Sequence, residues 1–201
     1  MRGLKRIVMA SGNAGKLAEI RRLLDGLDVD VIAQSELGVT DADETGSTFA
    51  ENSLLKARHA VAATGLAAIA DDSGLAVDAL GGRPGVYSAR YAGDNASDDE
   101  NLDKLLEELA DVADEDRGAA FHCVATFVAP GDPDPIVAEG VWRGSLLRAR
   151  QGDGGFGYDP VFLDPESGLS SAQLTPQQKN ARSHRGQALR ALVSQLQQRY
   201  A

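Results

Sequence analysis

The feature that most constrains the fold is a repeated alternation of short apolar runs with stretches whose apolar residues recur every three or four positions. Residues 4–10 form an apolar run that breaks at Ser11-Gly12-Asn13, after which Leu17, Ile20, Leu23 and Leu24 recur at helical spacing. Residues 29–33 predict a second strand, and 36–47 an acidic, turn-rich loop. Thr48 with Glu51 has the capping-box pattern, and the Ala- and Leu-rich segment to Ala63, free of Pro and Gly, predicts a long helix ended by Gly65. Residues 66–70 predict a compact strand running into Asp71-Asp72-Ser73-Gly74, with a second short strand over 75–77 and loop from 81 to 93. Ser97 with Glu100 is another capping box; Asp98 and Asp99 suit a helix N-terminus, and Leu102, Leu105, Leu106 and Leu109 form the stripe of an amphipathic helix. Phe121, Cys123, Ala125 and Phe127 fill one face of a central strand over 120–129, paired as a hairpin with 136–147 across 130–135. A glycine-rich loop at 152–160, a short strand at 161–163 and a terminal helix over 183–200, with Leu189, Leu192, Val193 and Leu196 buried, complete the order. Strands alternating with helices and a long hairpin predict an α/β architecture on a mixed sheet, and no repeat or linker divides residues 1–201.

Composition narrows the partners. With 43% hydrophobic residues the chain has material for a packed core, which excludes a disordered acidic tail. A net charge of −10 argues against a general nucleic-acid binder, whose phosphate contacts need a surplus of Lys and Arg. The charge is unevenly spread, because all 30 acids precede Ser167 whereas five basic residues follow it. A small cationic pocket is therefore compatible with an acidic protein. The single cysteine, Cys123, excludes an intramolecular disulfide and fits a reducing cytoplasmic setting. The longest uncharged stretch is too short for the roughly 17–25 residues of a membrane helix, and the basic N-terminus lacks a signal peptide's apolar length, so neither membrane association nor targeting is expected.

Five segments carry candidate chemistry. Ser11, Gly12, Asn13, Ala14, Gly15 and Lys16 lie between a strand and a helix, where backbone N–H groups and the helix dipole favour a phosphate; an ordinary glycine turn with a surface lysine is the plainer reading. The segment is not a P-loop, since Leu17 stands where the metal-binding Ser or Thr would follow the lysine, so any metal must be held by carboxylates elsewhere. Asp71 and Asp72 stand at the end of a buried strand; if the strand continues they point to opposite faces, and at most one shares a site with Lys16. The alternative is a turn with solvated carboxylates. Glu44 is a second acidic candidate, whereas Glu51 reads as a capping partner and Lys56 as a solvated helix residue. In Gly155-Phe156-Gly157-Tyr158-Asp159 the glycines permit close approach and the aromatics can stack on a base, unless the turn packs on its own core. Lys179, His184 and Arg185 supply donors able to read a keto oxygen or hold a phosphate. His59 and His122 read as packing or solvated residues, and no spacing suggests zinc.

Ser11-Gly-Asn-x-x-Lys16, Glu44-Thr-Gly-x-Thr-Phe-x-Glu51-Asn52, Ala70-Asp71-Asp72-Ser73-Gly74-Leu75, Pro84-Gly-Val-Tyr-Ser88-Ala-Arg90-Tyr91, Gly155-Phe156-Gly157-Tyr158-Asp159-Pro160 and Ser183-His184-Arg185 occur in that order across nearly the whole chain. Together they closely resemble the Ham1/inosine triphosphatase family, the house-cleaning pyrophosphatases of non-canonical purine nucleoside triphosphates. The resemblance implies an elongated mixed β-sheet flanked by helices, two lobes with a central substrate cleft, a homodimer and Mg²⁺ dependence. It implies that Ser11 to Lys16 bind the triphosphate, that Asp72 is proton acceptor and metal ligand, and that Glu44 is the second ligand. Ser73 would contact substrate, and Phe156, Gly157, Tyr158, Asp159, Lys179, His184 and Arg185 would hold and read the base. The role of Asp71 stays open. Ser53, where alanine often follows Glu-Asn in the family, is expected to be a change tolerated at the surface.

The expected reaction is release of pyrophosphate from ITP, dITP and XTP, leaving the monophosphate. Three alternatives are weaker. A regulator without turnover has no need of the acidic ligands, and a phosphatase or kinase-like transferase attacks the γ-phosphate. A Maf-like pyrophosphatase of modified pyrimidine nucleotides does not account for the Phe156 and His184 segments.

Overall fold

Strands buried on both faces need near-continuous apolar sequence, and β1 (Arg6–Met9) and β3 (Ala67–Val77) meet that need: after Arg6, every residue of β1 is buried, as are the first six of β3. The computed structural model describes residues 4–11, 14–25 and 29–200; Gly12 and Asn13 of the expected phosphate turn lie outside the described residues. The remaining strands and α-helices are α1 (Ala14–Leu23), β2 (Asp30–Ala33), α2 (Phe49–Thr64), α3 (Asp98–Glu108), β4 (Gly118–Val128), β5 (Ile136–Leu146), β6 (Phe162–Leu163), α4 (Pro176–Arg182) and α5 (His184–Arg199), joined in part by short 3-10 segments. Among the described residues one six-stranded sheet runs in the order β2-β1-β3-β4-β5-β6. β1 is parallel to both neighbours, with Ile7 opposite Val31 and Ala67, whereas β6 is antiparallel to β5. This is the mixed-sheet α/β fold that the alternation predicts.

The chain divides into two compact units. The first comprises Met1–Asp72, Cys123–Gly140 and Arg185–Ala201, and the second Ser73–His122 and Val141–His184. In the first unit the two-residue period of the strands sorts side chains into two layers. Ile7, Met9 and Ile69 pack with Ile20, Cys123, Phe127, Leu189, Leu192 and Leu196, so this face carries α1 and α5. Val8, Ala10, Ala68 and Ala70 pack with Ala57 and Ala60, so the opposite face carries α2. Small residues there let α2 approach the sheet closely. The second unit has its own core, built from Leu75, Val77, Leu102, Leu105, Leu109, Phe121, Trp142 and Phe162 among others. Beside it the buried Arg117 donates to the carbonyls of Leu109, Leu146 and Leu147 at 2.6, 2.8 and 2.9 Å, closing the end of α3.

Three sequence expectations change. β3 does not end at Asp71: it continues through Ser73-Gly74 to Val77, because Leu75 and Val77 have a core to enter and no turn is needed. The terminal helix does not begin at 183; α4 precedes it, started by the Thr175/Gln178 capping box with Pro at its first turn and ended by Ser183, whose ψ of 147° is extended. Ser53 is not at the surface. It is 0% exposed, and its hydroxyl donates to Thr126 Oγ1 at 2.5 Å.

Candidate active site

Because β3 continues, Asp71 and Asp72 point to opposite faces of the sheet. Asp71 follows the parity of Ile69 and joins the face of α1 and α5. Its Oδ1 accepts from Lys16 Nζ at 2.8 Å and its Oδ2 from Arg185 Nε at 3.2 Å. Burial alone would push its carboxyl up, but the Lys16 ammonium and the Arg185 guanidinium outweigh burial and hold it far below the usual carboxylate range. β1 ends beside this point, with Ala10 N–H donating to Ile69 O at 2.8 Å. Gly15 and Lys16 lie in the first turn of α1, the end of a helix whose dipole favours negative charge.

Asp72 follows Ala68 and Ala70 onto the face of α2. Asn52 Nδ2 donates to its Oδ2 at 3.2 Å, and Lys56 Nζ lies 2.9 Å from its Oδ1. The same ammonium lies 2.7 Å from Glu44 Oε1. Asn52 also accepts from Gly46 N–H at 2.8 Å, which ties the loop carrying Glu44 to α2. A Cβ on Gly46 would lie 2.7 Å from both Asn52 Oδ1 and Glu51 Cβ, so glycine is what lets the loop sit there. Burial pushes the Asp72 carboxyl up against the opposing pull of Lys56, and Glu44 adds to the rise. The Lys56 ammonium is also raised: its burial acts downward, but Asp72 and Glu44 prevail. A carboxylate whose pKa is raised is better suited to accept a proton than a free one.

Glu51 is the capping partner of Thr48, as the pattern predicts. Lys56 is not the solvated residue expected, since its side chain is 14% exposed and bridges two carboxylates. Sequence reasoning missed it and Asn52; the available signal was their i, i+4 spacing, which puts both on one face of α2. Cys123 is a buried core thiol whose pKa burial pushes up.

The second unit holds the aromatic loop. Phe156 is 56% exposed. Asp159, 3% exposed, accepts from Phe156 N–H at 2.8 Å through Oδ2, which also takes the Lys179 ammonium. Lys179 Nζ sits 4.9 Å from the centre of the Phe156 ring. Gly155 has φ +77°, and a Cβ there would lie 2.1 Å from Asp159 Oδ2, so only glycine admits the carboxylate beneath the loop. Gly157 N–H donates to Asp98 Oδ2 at 2.8 Å, a second tether from the start of α3. Tyr158 is buried, its hydroxyl donating to Ser88 O at 2.8 Å, so it supports the loop from the core. The His184 ring stacks on Phe121 at 4.8 Å and 13°. Ser73 follows Asp72 on β3 and is half-buried. Thus Lys16, Asp71 and Arg185 form one cluster, Glu44, Lys56, Asn52 and Asp72 a second, and Phe156, Asp159 and Lys179 a third.

Known proteins share this arrangement of sequence and fold. A 58% identical relative from Pectobacterium atrosepticum, matched over 96% of this chain and 98% of its own length, is named a dITP/XTP pyrophosphatase. One from Salmonella typhimurium with the same name is 56% identical over the same shares. The solved structure of a HAM1 protein from Coxiella burnetii superposes with a TM-score of 0.92 at 50% identity, covering 97% of this chain and all of that one. A Ham1 protein from Staphylococcus aureus gives 0.89 at 43% identity, again covering 97% of this chain and all of that one. Nothing among these matches supports the Maf-like alternative. The model of the Ham1 family matches residues 7–195, a span that takes in all three clusters, and the chain belongs to that family.

Proposed function

We propose that the protein hydrolyses non-canonical purine nucleoside triphosphates, ITP, dITP and XTP, to the monophosphate and pyrophosphate, removing them from the nucleotide pool. The observation that carries this reading is the division of labour on β3: Asp71 holds two cations on one face of the sheet, while Asp72 is left on the other face, raised by burial, beside a second carboxylate. The pyrophosphatase names of the relatives point the same way.

Asp72 accepts a proton from water as the water oxygen bonds to the α-phosphorus. The bond from that phosphorus to the bridging oxygen breaks, and pyrophosphate leaves with the electron pair. Lys16 and Gly15 at the start of α1 bind the polyphosphate together with Ser11, Gly12, Asn13 and Ala14, and Ser73 touches substrate. Phe156 stacks on the purine. Lys179 has three N–H donors, of which Asp159 takes one, leaving donors for the 6-keto oxygen of hypoxanthine or xanthine. His184 and Arg185 join in reading the base. Adenine presents an amino group at that position and leaves the donors unmatched, whereas rejection of guanine has to involve its 2-amino group.

The donor set suits Mg²⁺. Glu44 Oε1 and Asp72 Oδ1 already converge on one cationic nitrogen, at 2.7 and 2.9 Å, and both are hard oxygens. No group of three or more His, Cys, Asp or Glu is placed to hold a metal among the described residues, so Glu44 and Asp72 would hold the ion together with substrate phosphate and water. Mg²⁺ bound there would offset the charge of the triphosphate and lower the pKa of a coordinated water. Assembly as a homodimer follows from the family resemblance. A cytoplasmic setting accords with the single reduced cysteine, and no helix among the described residues is long and apolar enough to cross a membrane.

A nucleotide panel assayed for pyrophosphate and orthophosphate tests the reading. Pyrophosphate is expected from ITP, dITP and XTP in the presence of Mg²⁺, with ATP turned over about 10⁴-fold less efficiently. Orthophosphate as the primary product would overturn it.

A further inference from the structure

The loop that carries Phe156 rests on a support no motif marks. Ser171, 1% exposed on the short 3-10 turn Ser171–Gln173, donates its hydroxyl to Asp159 Oδ1 at 2.8 Å. The other oxygen of that carboxylate takes both Phe156 N–H and the Lys179 ammonium. The loop presses on the same 3-10 turn, since Gly154 N–H donates to Ala172 O at 3.2 Å and a Cβ on Gly154 would lie 2.6 Å from that oxygen.

The two oxygens of a carboxylate are equivalent until a donor distinguishes them. Here the Ser171 hydroxyl engages Oδ1, which leaves Oδ2 to hold Lys179 at 4.9 Å from the Phe156 ring centre. Without that hydroxyl, a buried oxygen loses its donor and the carboxylate is free to rotate, which draws the ammonium away from the ring. We infer that Ser171 is a positioning residue for purine recognition, acting through Asp159 to set where Lys179 presents its donors beside Phe156. The role rests on the base-reading assignment proposed above and extends it to a residue that need not touch substrate.

The test is calorimetric binding of IMP and steady-state hydrolysis of ITP by the wild type, Ser171→Ala, Ser171→Cys, Lys179→Met and the Ala/Met double variant. Ser171→Ala is expected to weaken IMP binding and raise KM for ITP about ten-fold, with kcat changed by less than about two-fold. Ser171→Cys, a near-isosteric weak donor, falls between the two and carries the comparison if the alanine variant does not fold. In the Lys179→Met background the alanine substitution is expected to add less than about two-fold, because both act through one chain of contacts. A folded Ser171 variant with wild-type IMP affinity, or an equal loss with and without Lys179, would overturn the inference. A wild type that releases no pyrophosphate from ITP overturns the base-reading assignment as well, whereas an active wild type with an unaltered Ser171 variant overturns only the role of Ser171.

Discussion

Replacing Asp72 with asparagine is expected to lower kcat for ITP by about 10³-fold, the range lost when a general base is removed. Asparagine keeps the volume of the side chain and leaves an oxygen that can accept from Asn52 Nδ2, so the packing of β3 against α2 is preserved. It cannot accept a proton, and it removes one of the two carboxylates that converge on Lys56. Circular dichroism and thermal melting establish that the variant is folded, and steady-state kinetics supply the comparison. A folded Asp72→Asn protein retaining more than about a tenth of wild-type turnover would contradict its assignment as the base.

Asp71 is expected to fail in the opposite way. Its side chain is 1% exposed and faces Lys16 and Arg185, whose side chains are 17% and 13% exposed. Exchanging it for asparagine leaves two largely buried cations facing a neutral amide. Breaking a buried ion pair by removing one partner costs about 3–5 kcal/mol, which for a chain of this size lowers the melting temperature by roughly 6–20 °C. KM for ITP should rise as well, because Lys16, the proposed phosphate ligand, loses the carboxylate that positions it. Differential scanning calorimetry of the two variants separates the roles: Asp71→Asn loses mainly stability and affinity, and Asp72→Asn mainly turnover. An Asp71→Asn protein that melts with the wild type would show that the Lys16 and Arg185 contacts contribute little.

How much of this was legible in the sequence follows from what sets each feature. Elements governed by local periodicity and caps, such as α2 with Thr48 and Glu51 or α3 with Ser97 and Glu100, could be read from the chain because their determinants lie within a few residues. The alternative of opposite faces for Asp71 and Asp72 was also readable, since it follows from the period of a strand. That the strand continues was not, because Ser73-Gly74 looks like a turn until the core that receives Leu75 and Val77 is known. The split at Ser183 escaped for a related reason: the apolar stripe of α5 hides the shorter, polar α4 before it. Lys56 and Ser171 carry no motif, and their roles come from partners 16 and 12 residues away. Ser53 was misplaced because a small polar residue in a helix reads as solvated unless its partner, Thr126 on β4, is in view.

The most direct test of the central claim is hydrolysis of ITP in ¹⁸O-labelled water followed by mass spectrometry of both products. If water activated by Asp72 attacks the α-phosphorus, one ¹⁸O appears in IMP and none in pyrophosphate. Label in pyrophosphate, or in orthophosphate released alongside IDP, would contradict it.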